Sequence, residues 1–344
     1  SEHWRRQGSS SDTGRLHVVG RLRALQGFEP AFDRTSEQQL EQPFIRVGSK
    51  AHEPVFAAVD TLDLELLPRL DTVPLPDLGG QDDLVAGSDS HAGGTQPEEN
   101  NFKGVHGDND ATPKTRIVKP ANPYSYQVGS GGLTGIWAEQ NTRESLFAAL
   151  KRNETFGTSG VRLRPRFFGG WNFAPDLIEN TDWLKAAYRD GVPMGGNLST
   201  APAGKAPTFV VAAMKDPDGA NLDRIQVIKG WIQGGETFDK IYDVALSDGR
   251  TVDPATGKAP PVGDTVDLKA ASYTNTIGAA ELSAVWTDPD FDPSVRAFYY
   301  VRVLEIPTPR WSTYDAAKLD IAPRKDMQAT IQERAWTSPI WYTP

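Results

Sequence analysis

The sequence predicts an α+β chain that ends in an antiparallel β-sandwich, and three observations carry that prediction. Short apolar or alternating runs recur after Pro193, at Thr208–Met214, Leu222–Ile232, Lys240–Leu246, Ala280–Trp286 and Ala297–Ile306. Turn-forming clusters separate them, at Asp216–Gly219, Gly234-Gly235, Asp248-Gly249 and Asp288–Pro293. The 344 residues include 32 Gly and 26 Pro, an excess that favours many turns and short strands over long helices. Strands at this spacing argue a sandwich rather than a helical or doubly wound domain.

The elements justify themselves in order. Residues 1–82 read as a poorly ordered or atypical N-terminal segment, because the apolar runs in Val55–Leu78 are broken by Pro68, Pro74 and Pro76. From Asp83 the texture changes. Leu84-Val85-Ala86 reads as a buried strand end leading into the polar loop Gly87-Ser88-Asp89-Ser90-His91. Residues 92–135 are loop-rich, and a connection of that length inside a compact domain is usually functional or disordered. A helix follows: Asn141 can cap it, Glu144 completes a capping box, and Leu146, Phe147 and Leu150 supply its apolar face. Asn153 and Gly157 close it. Val161–Phe168 alternates with Arg162, Arg164 and Arg166 as a half-exposed strand does. A second helix is expected at Asp182–Arg189. Phe298–Leu304 carries apolar residues on both faces, as expected of a central strand.

Composition removes several classes of function. A formal charge of −9 and the lack of a Lys/Arg cluster argue against a nucleic-acid partner. No apolar run is long enough to span a bilayer. The polar start at Ser1 carries no apolar run, so no signal peptide is expected there. With no cysteine, disulfides, thiolate nucleophiles and Cys-based zinc sites are excluded.

The sharpest chemical feature is Asp89-x-His91. On an extended strand, residues two apart project from one side, so a carboxylate and an imidazole can converge on one cation. The alternative is an Asp accepting backbone hydrogen bonds in a turn beside a surface His. Glu98, Glu99 and His106 are candidate substrate-binding groups or hydrogen-bond partners that orient His91; a solvated loop explains them as well. Asp288-x-Asp290-x-Asp292 has the spacing of a calcium loop but lacks its Gly and closing Glu, which favours an inter-strand turn. The three arginines at 162, 164 and 166 can hold a phosphate or pair across the sheet. Trp231 and Trp286 suit a sugar-stacking platform or an aromatic core.

A longer pattern links these features. Gly87–His91, Pro97–Phe102, Gly107–Pro113, Gly132–Glu139, Asn141–Glu144, Thr158–Gly160, Arg166–Trp171, Lys215–Asp223 and Ala335–Trp341 occur in order. Together they resemble the bacterial family called domain of unknown function 3604, related to the PHP (polymerase and histidinol phosphatase) metal-dependent phosphoesterases. The resemblance covers roughly Asp83 to Pro344. It implies the C-terminal part of a distorted (β/α) barrel over 83–160, then a β-sandwich over 161–344. It also implies a metal pair at Asp89 and His91, a divalent cofactor (Zn, Mn or Fe), and hydrolysis of a small phosphoester or similar ester. A periplasmic or extracellular setting is implied because many relatives look exported. The chain departs from the PHP pattern upstream: its other histidines are His3, His17, His52 and His106, and none forms a His-x-His pair. The resulting expectation is an incomplete hydrolase, set against a non-catalytic sandwich that binds carbohydrate or a protein partner.

Overall fold

Period-two burial builds two antiparallel sheets that share one core. The computed structural model describes residues 84–87, 98–104, 112–118 and 129–344, together with the backbone of 55–57. All of them belong to one compact unit, residues 42–344. The larger sheet runs β1 (Val55–Ala57), β2 (Leu133–Ile136), β3 (Thr155–Thr158), β13 (Arg334–Thr337), β10 (Ala297–Glu305), β7 (Leu222–Gln233) and β8 (Glu236–Leu246). Strand β14 (Ile340–Tyr342) continues β13 along the same edge of β10, with one extra residue at Ser338-Pro339. The smaller sheet runs β5 (Gly191–Pro193), β4 (Arg164–Gly170), β6 (Thr208–Met214) and β9 (Glu281–Thr287).

Their facing sides form the core. Ile225, Val227, Tyr299, Val301 and Val303 of the large sheet meet Phe167, Phe209 and Val211 of the small one. Trp286 stacks on Phe209 within this layer, and Trp231 packs against it, so both tryptophans are core residues rather than a sugar platform. The outer side of the small sheet is covered in turn. Phe168 and Val210 are buried under Leu177, Ile178, Trp183 and Leu184, which come from a short 3-10 turn and helix α3 (Trp183–Asp190).

Several expectations meet corrections here. Strand β10 alternates strictly: Ala297, Tyr299, Val301 and Val303 are buried inward, while Phe298, Tyr300, Arg302 and Leu304 are half-buried on the other face. The first long helix, α2 (Arg143–Lys151), is capped by Thr142, whose hydroxyl accepts the Ser145 N–H at 3.3 Å; Asn141 and Glu144 form no capping box. Phe147 is exposed, and Ala149 is the buried position of that helix. Asn153 does end the segment, in the left-handed region at φ 59°, whereas Gly157 lies inside β3.

Leu84–Gly87 is also not a ladder strand. Its backbone groups are taken by hydroxyls: Ser338 Oγ accepts the Leu84 N–H, Thr155 Oγ1 donates to the Leu84 carbonyl, and Thr134 Oγ1 bonds both backbone groups of Ala86. Three side chains thus replace a neighbouring strand, which satisfies the backbone without sheet pairing.

Neither sheet closes on itself, and among the described residues there is no closed barrel. Strands β2 and β3, from the stretch expected to belong to a barrel, pair into the large sheet next to β13. Residues on both sides of position 160 therefore share one sheet.

Gly195 joins two parts of this architecture. Its φ is +82°, and an added Cβ would stand 2.2 Å from the Asn153 carbonyl oxygen. Its own N–H donates to Pro339 O at 3.1 Å. Gly195→Ala is expected to cost about 2–3 kcal/mol, from backbone strain plus overpacking. Urea unfolding should show this as a lower midpoint at constant slope.

Candidate functional site: an acidic cavity at the end of the sandwich

Strand β10 ends at Glu305, and several turns converge on that end. The Asp216-Pro217-Asp218-Gly219 turn links β6 to β7, with Asp216 Oδ1 accepting the Asp218 N–H at 3.0 Å and Gly219 N–H closing on Asp216 O at 3.0 Å. This is the turn that the sequence announces. Asp216 Oδ2 also accepts the Arg162 backbone N–H at 2.8 Å, which fixes the entry to β4. Glu333 precedes β13; its carbonyl receives the Glu305 N–H at 2.8 Å, and its carboxylate receives the Ser159 hydroxyl.

Over this end lies a helical layer. Helix α4 (Trp311–Lys318) packs against α1 (Pro113–Ile117) and against a 3-10 turn at Glu99–Asn101. The N-terminus of α4 has no cap from its own Arg310 side chain. Glu99, more than two hundred residues earlier, supplies one: its carboxylate accepts the Trp311 N–H, and its other oxygen accepts the Ser130 N–H at 3.2 Å and the Ser130 hydroxyl. A carboxylate at a helix N-terminus is favoured both as a hydrogen-bond acceptor and by the helix dipole.

These pieces enclose a cavity of about 240 Å³. Among the described residues, Glu98, Glu99, Asp216, Asp218, Glu305 and Glu333 line it, with Arg162 as the one cationic side chain of that lining and Tyr273 and Tyr314 on its walls. Glu305 is the unusual member. It is 1% exposed, and its Oε1 finds no hydrogen-bond partner among the described residues. Burial first, then the Glu333 and Asp216 carboxylates, raise the Glu305 carboxyl well above the ordinary range; Lys215 and the Ala220 N–H oppose them. Burial and these neighbours favour its neutral form. Burial also raises the phenol of Tyr273, and pushes that of Tyr314 up to about 12, with neighbouring charges adding to both. Both phenols stay neutral.

Of the residues singled out from sequence, Glu98 and Glu99 reach this cavity, whereas Asp89, His91 and His106 lie outside the described residues. Gly87 O accepts the Gly132 N–H at 3.1 Å, and Glu99 accepts the Ser130 N–H at 3.2 Å.

The arginine row does not form a phosphate seat. Arg162 turns to Asp216, and Arg166 lies over the Trp137 ring and donates to Tyr188 Oη at 3.1 Å. Burial lowers the Arg166 pKa, against the pull of Tyr188 and Glu154. The aspartates at 288, 290 and 292 do not converge either. They engage Lys229, Lys240 and Ser294 respectively, as the turn reading expects. Among the described residues no three His, Asp or Glu side chains are placed to share a metal ion, and no helix is long and apolar enough to cross a membrane.

Sequence reasoning missed Glu305, Glu333 and Tyr314. Glu305 carried a signal, as a carboxylate at an inward position of an otherwise apolar strand. Glu333 and Tyr314 carried none, since only the tertiary fold brings them to Glu305.

Comparison with known proteins gives one match. A family model described as protein of unknown function (DUF3604) covers residues 81–344. No curated protein and no solved structure matches the chain.

Proposed function

The chain belongs to the DUF3604 family, and on that premise we propose that it is a PHP-like metal-dependent hydrolase of small esters. In this reading Asp89 and His91 supply a carboxylate and an imidazole to a divalent cation, Zn, Mn or Fe. The observation that supports it is the family match over residues 81–344, a span that includes both residues.

The described residues offer no metal-sharing cluster of their own, so Asp89 and His91 need further ligands to hold the ion tightly. When bound, such a cation supplies Lewis-acid polarisation of the scissile ester. An exported setting belongs to the same reading.

The test is metal content. Purified protein should carry near-stoichiometric Zn, Mn or Fe, and Asp89→Ala should lose it at least tenfold while its circular dichroism is unchanged. Metal-free wild-type protein with intact folding would overturn the hydrolase reading. It would favour the second one, a non-catalytic sandwich that binds a ligand. The acidic cavity favours that alternative, since its described lining offers a seat for a ligand without needing a metal.

A further inference from the structure

We propose that the cavity at Glu305 is a binding site for a small organic ammonium ion, an alkylamine whose N–H groups are received by Glu305, Glu333 and Asp216. The proposal needs neither Asp89 nor His91 and stands apart from the hydrolase reading.

Two independent observations carry it. The first is the excess of acceptors among the described lining residues, six carboxyl groups against one guanidinium in about 240 Å³. The second is Glu305 itself, which is one of the lining residues and whose buried Oε1 has no partner among the described residues. A buried carboxyl oxygen without a donor is costly, and a ligand that brings donors removes the cost.

The chemistry of the lining separates the ligand classes. Anions are repelled. A divalent cation wants several oxygens converging at short range, and no three acidic side chains here are so placed. A polyol brings one donor and two lone pairs per hydroxyl and no charge, so it leaves the negative field uncompensated. An ammonium group brings three donors and no acceptor, and it neutralises the field. Tyr273 and Tyr314 present aromatic walls that also favour a cation.

Burial first, then the Glu333 and Asp216 carboxylates, favours the neutral form of the Glu305 carboxyl in the empty cavity. An arriving alkylammonium favours its charged form, so binding should weaken as pH falls, and no covalent bond changes.

The experiment is calorimetry on the full chain, with putrescine as the probe, 1,4-butanediol as its uncharged isostere, and calcium chloride as the inorganic cation. Putrescine is expected to bind, and to bind more weakly as pH is lowered. Butanediol and calcium should give no saturable heat. Glu305→Gln, which keeps the shape of the neutral acid, should weaken putrescine by about tenfold or more and flatten that pH dependence. Asp218→Asn, at the exposed rim, should weaken it by about threefold without touching the core. Asp89→Ala should leave it unchanged, which separates this site from the metal pair. Equal binding of butanediol, displacement of putrescine by equimolar calcium, or no binding of putrescine would each overturn the proposal.

Discussion

Replacing Asp288 by alanine is expected to destabilise the fold by about 3–5 kcal/mol, the range for removing one partner of a buried ion pair. Strand β7 alternates inward through Ile225, Val227 and Lys229, so the lysine points into the core between the sheets. Its ammonium group is 6% exposed and meets Asp288 Oδ2 at 2.6 Å, where the Asp288 side chain is fully buried. The same oxygen accepts the Tyr299 hydroxyl at 2.7 Å, and Lys229 also donates to Asp290 O at 2.7 Å. Burial and the Asp288 charge push the Tyr299 phenol far up in pKa, so it remains a donor. Alanine at 288 would leave an ammonium with one carbonyl and a phenol with no acceptor.

Two further variants test the cause. Asp288→Asn keeps an acceptor for Tyr299 and should lose less. The double variant Lys229→Met, Asp288→Leu removes both charges and should recover most of the loss, because paired charges contribute little over an apolar replacement. Urea denaturation measures all of these. A cost below about 1 kcal/mol for Asp288→Ala would show that the pair is relaxed or hydrated, contrary to its burial.

Arg116→Ala is the second large effect, expected near 3 kcal/mol and specific to the helical layer over the cavity. Arg116 and Asp315 are 4% and 2% exposed and pair through two bonds, Nε to Oδ2 at 2.8 Å and a terminal guanidinium nitrogen to Oδ1 at 3.0 Å. Planar two-point pairing of this kind fixes orientation as well as charge. It ties α1 to α4 across almost two hundred residues. After the substitution Asp315 keeps Lys318 at 3.6 Å, a half-exposed partner that places the loss at the low end of the range. Limited proteolysis should then cut first between Glu98 and Ile117, before the sandwich opens. Cleavage elsewhere first would show that the layer does not depend on this pair.

The same buried charges explain how much of the fold was legible in advance. Strand β6 matches its sequence range residue for residue, and β7, β9 and β10 differ from theirs by one residue at most boundaries. Their signal is local, apolar alternation between turn residues. Gly234 and Gly235 adopt φ of +63° and +87°, the positive values that a two-residue hairpin between β7 and β8 requires. Helix α3 was legible for the same reason. The cap of α2 was not placed correctly, since Asn141 and Thr142 are both good capping residues and the choice between them depends on where the chain enters from Trp137.

The candidate site was legible only in pieces. Glu98 and Glu99 stood out beside Asp89-x-His91, yet Glu99 turns out to cap a helix that lies far along the chain. Asp216–Gly219 read as a turn and is one, but nothing local says that this turn forms a wall opposite Glu305. The extended run Leu84–Gly87 looked like a strand because period and apolarity do not reveal what takes up the backbone hydrogen bonds.

The amino-acid order alone determined the antiparallel sandwich, its turns, the lack of thiol chemistry and the family to which the chain belongs, because each is written in short-range pattern or composition. Tertiary structure decided which carboxylates meet. Six of them come from four stretches between Glu98 and Glu333, and one, Glu305, is stripped of water by the closing of β10 against its neighbours. Desolvation and the approach of like charges depend on distances between parts of the chain remote in sequence, and those distances exist only in the folded state.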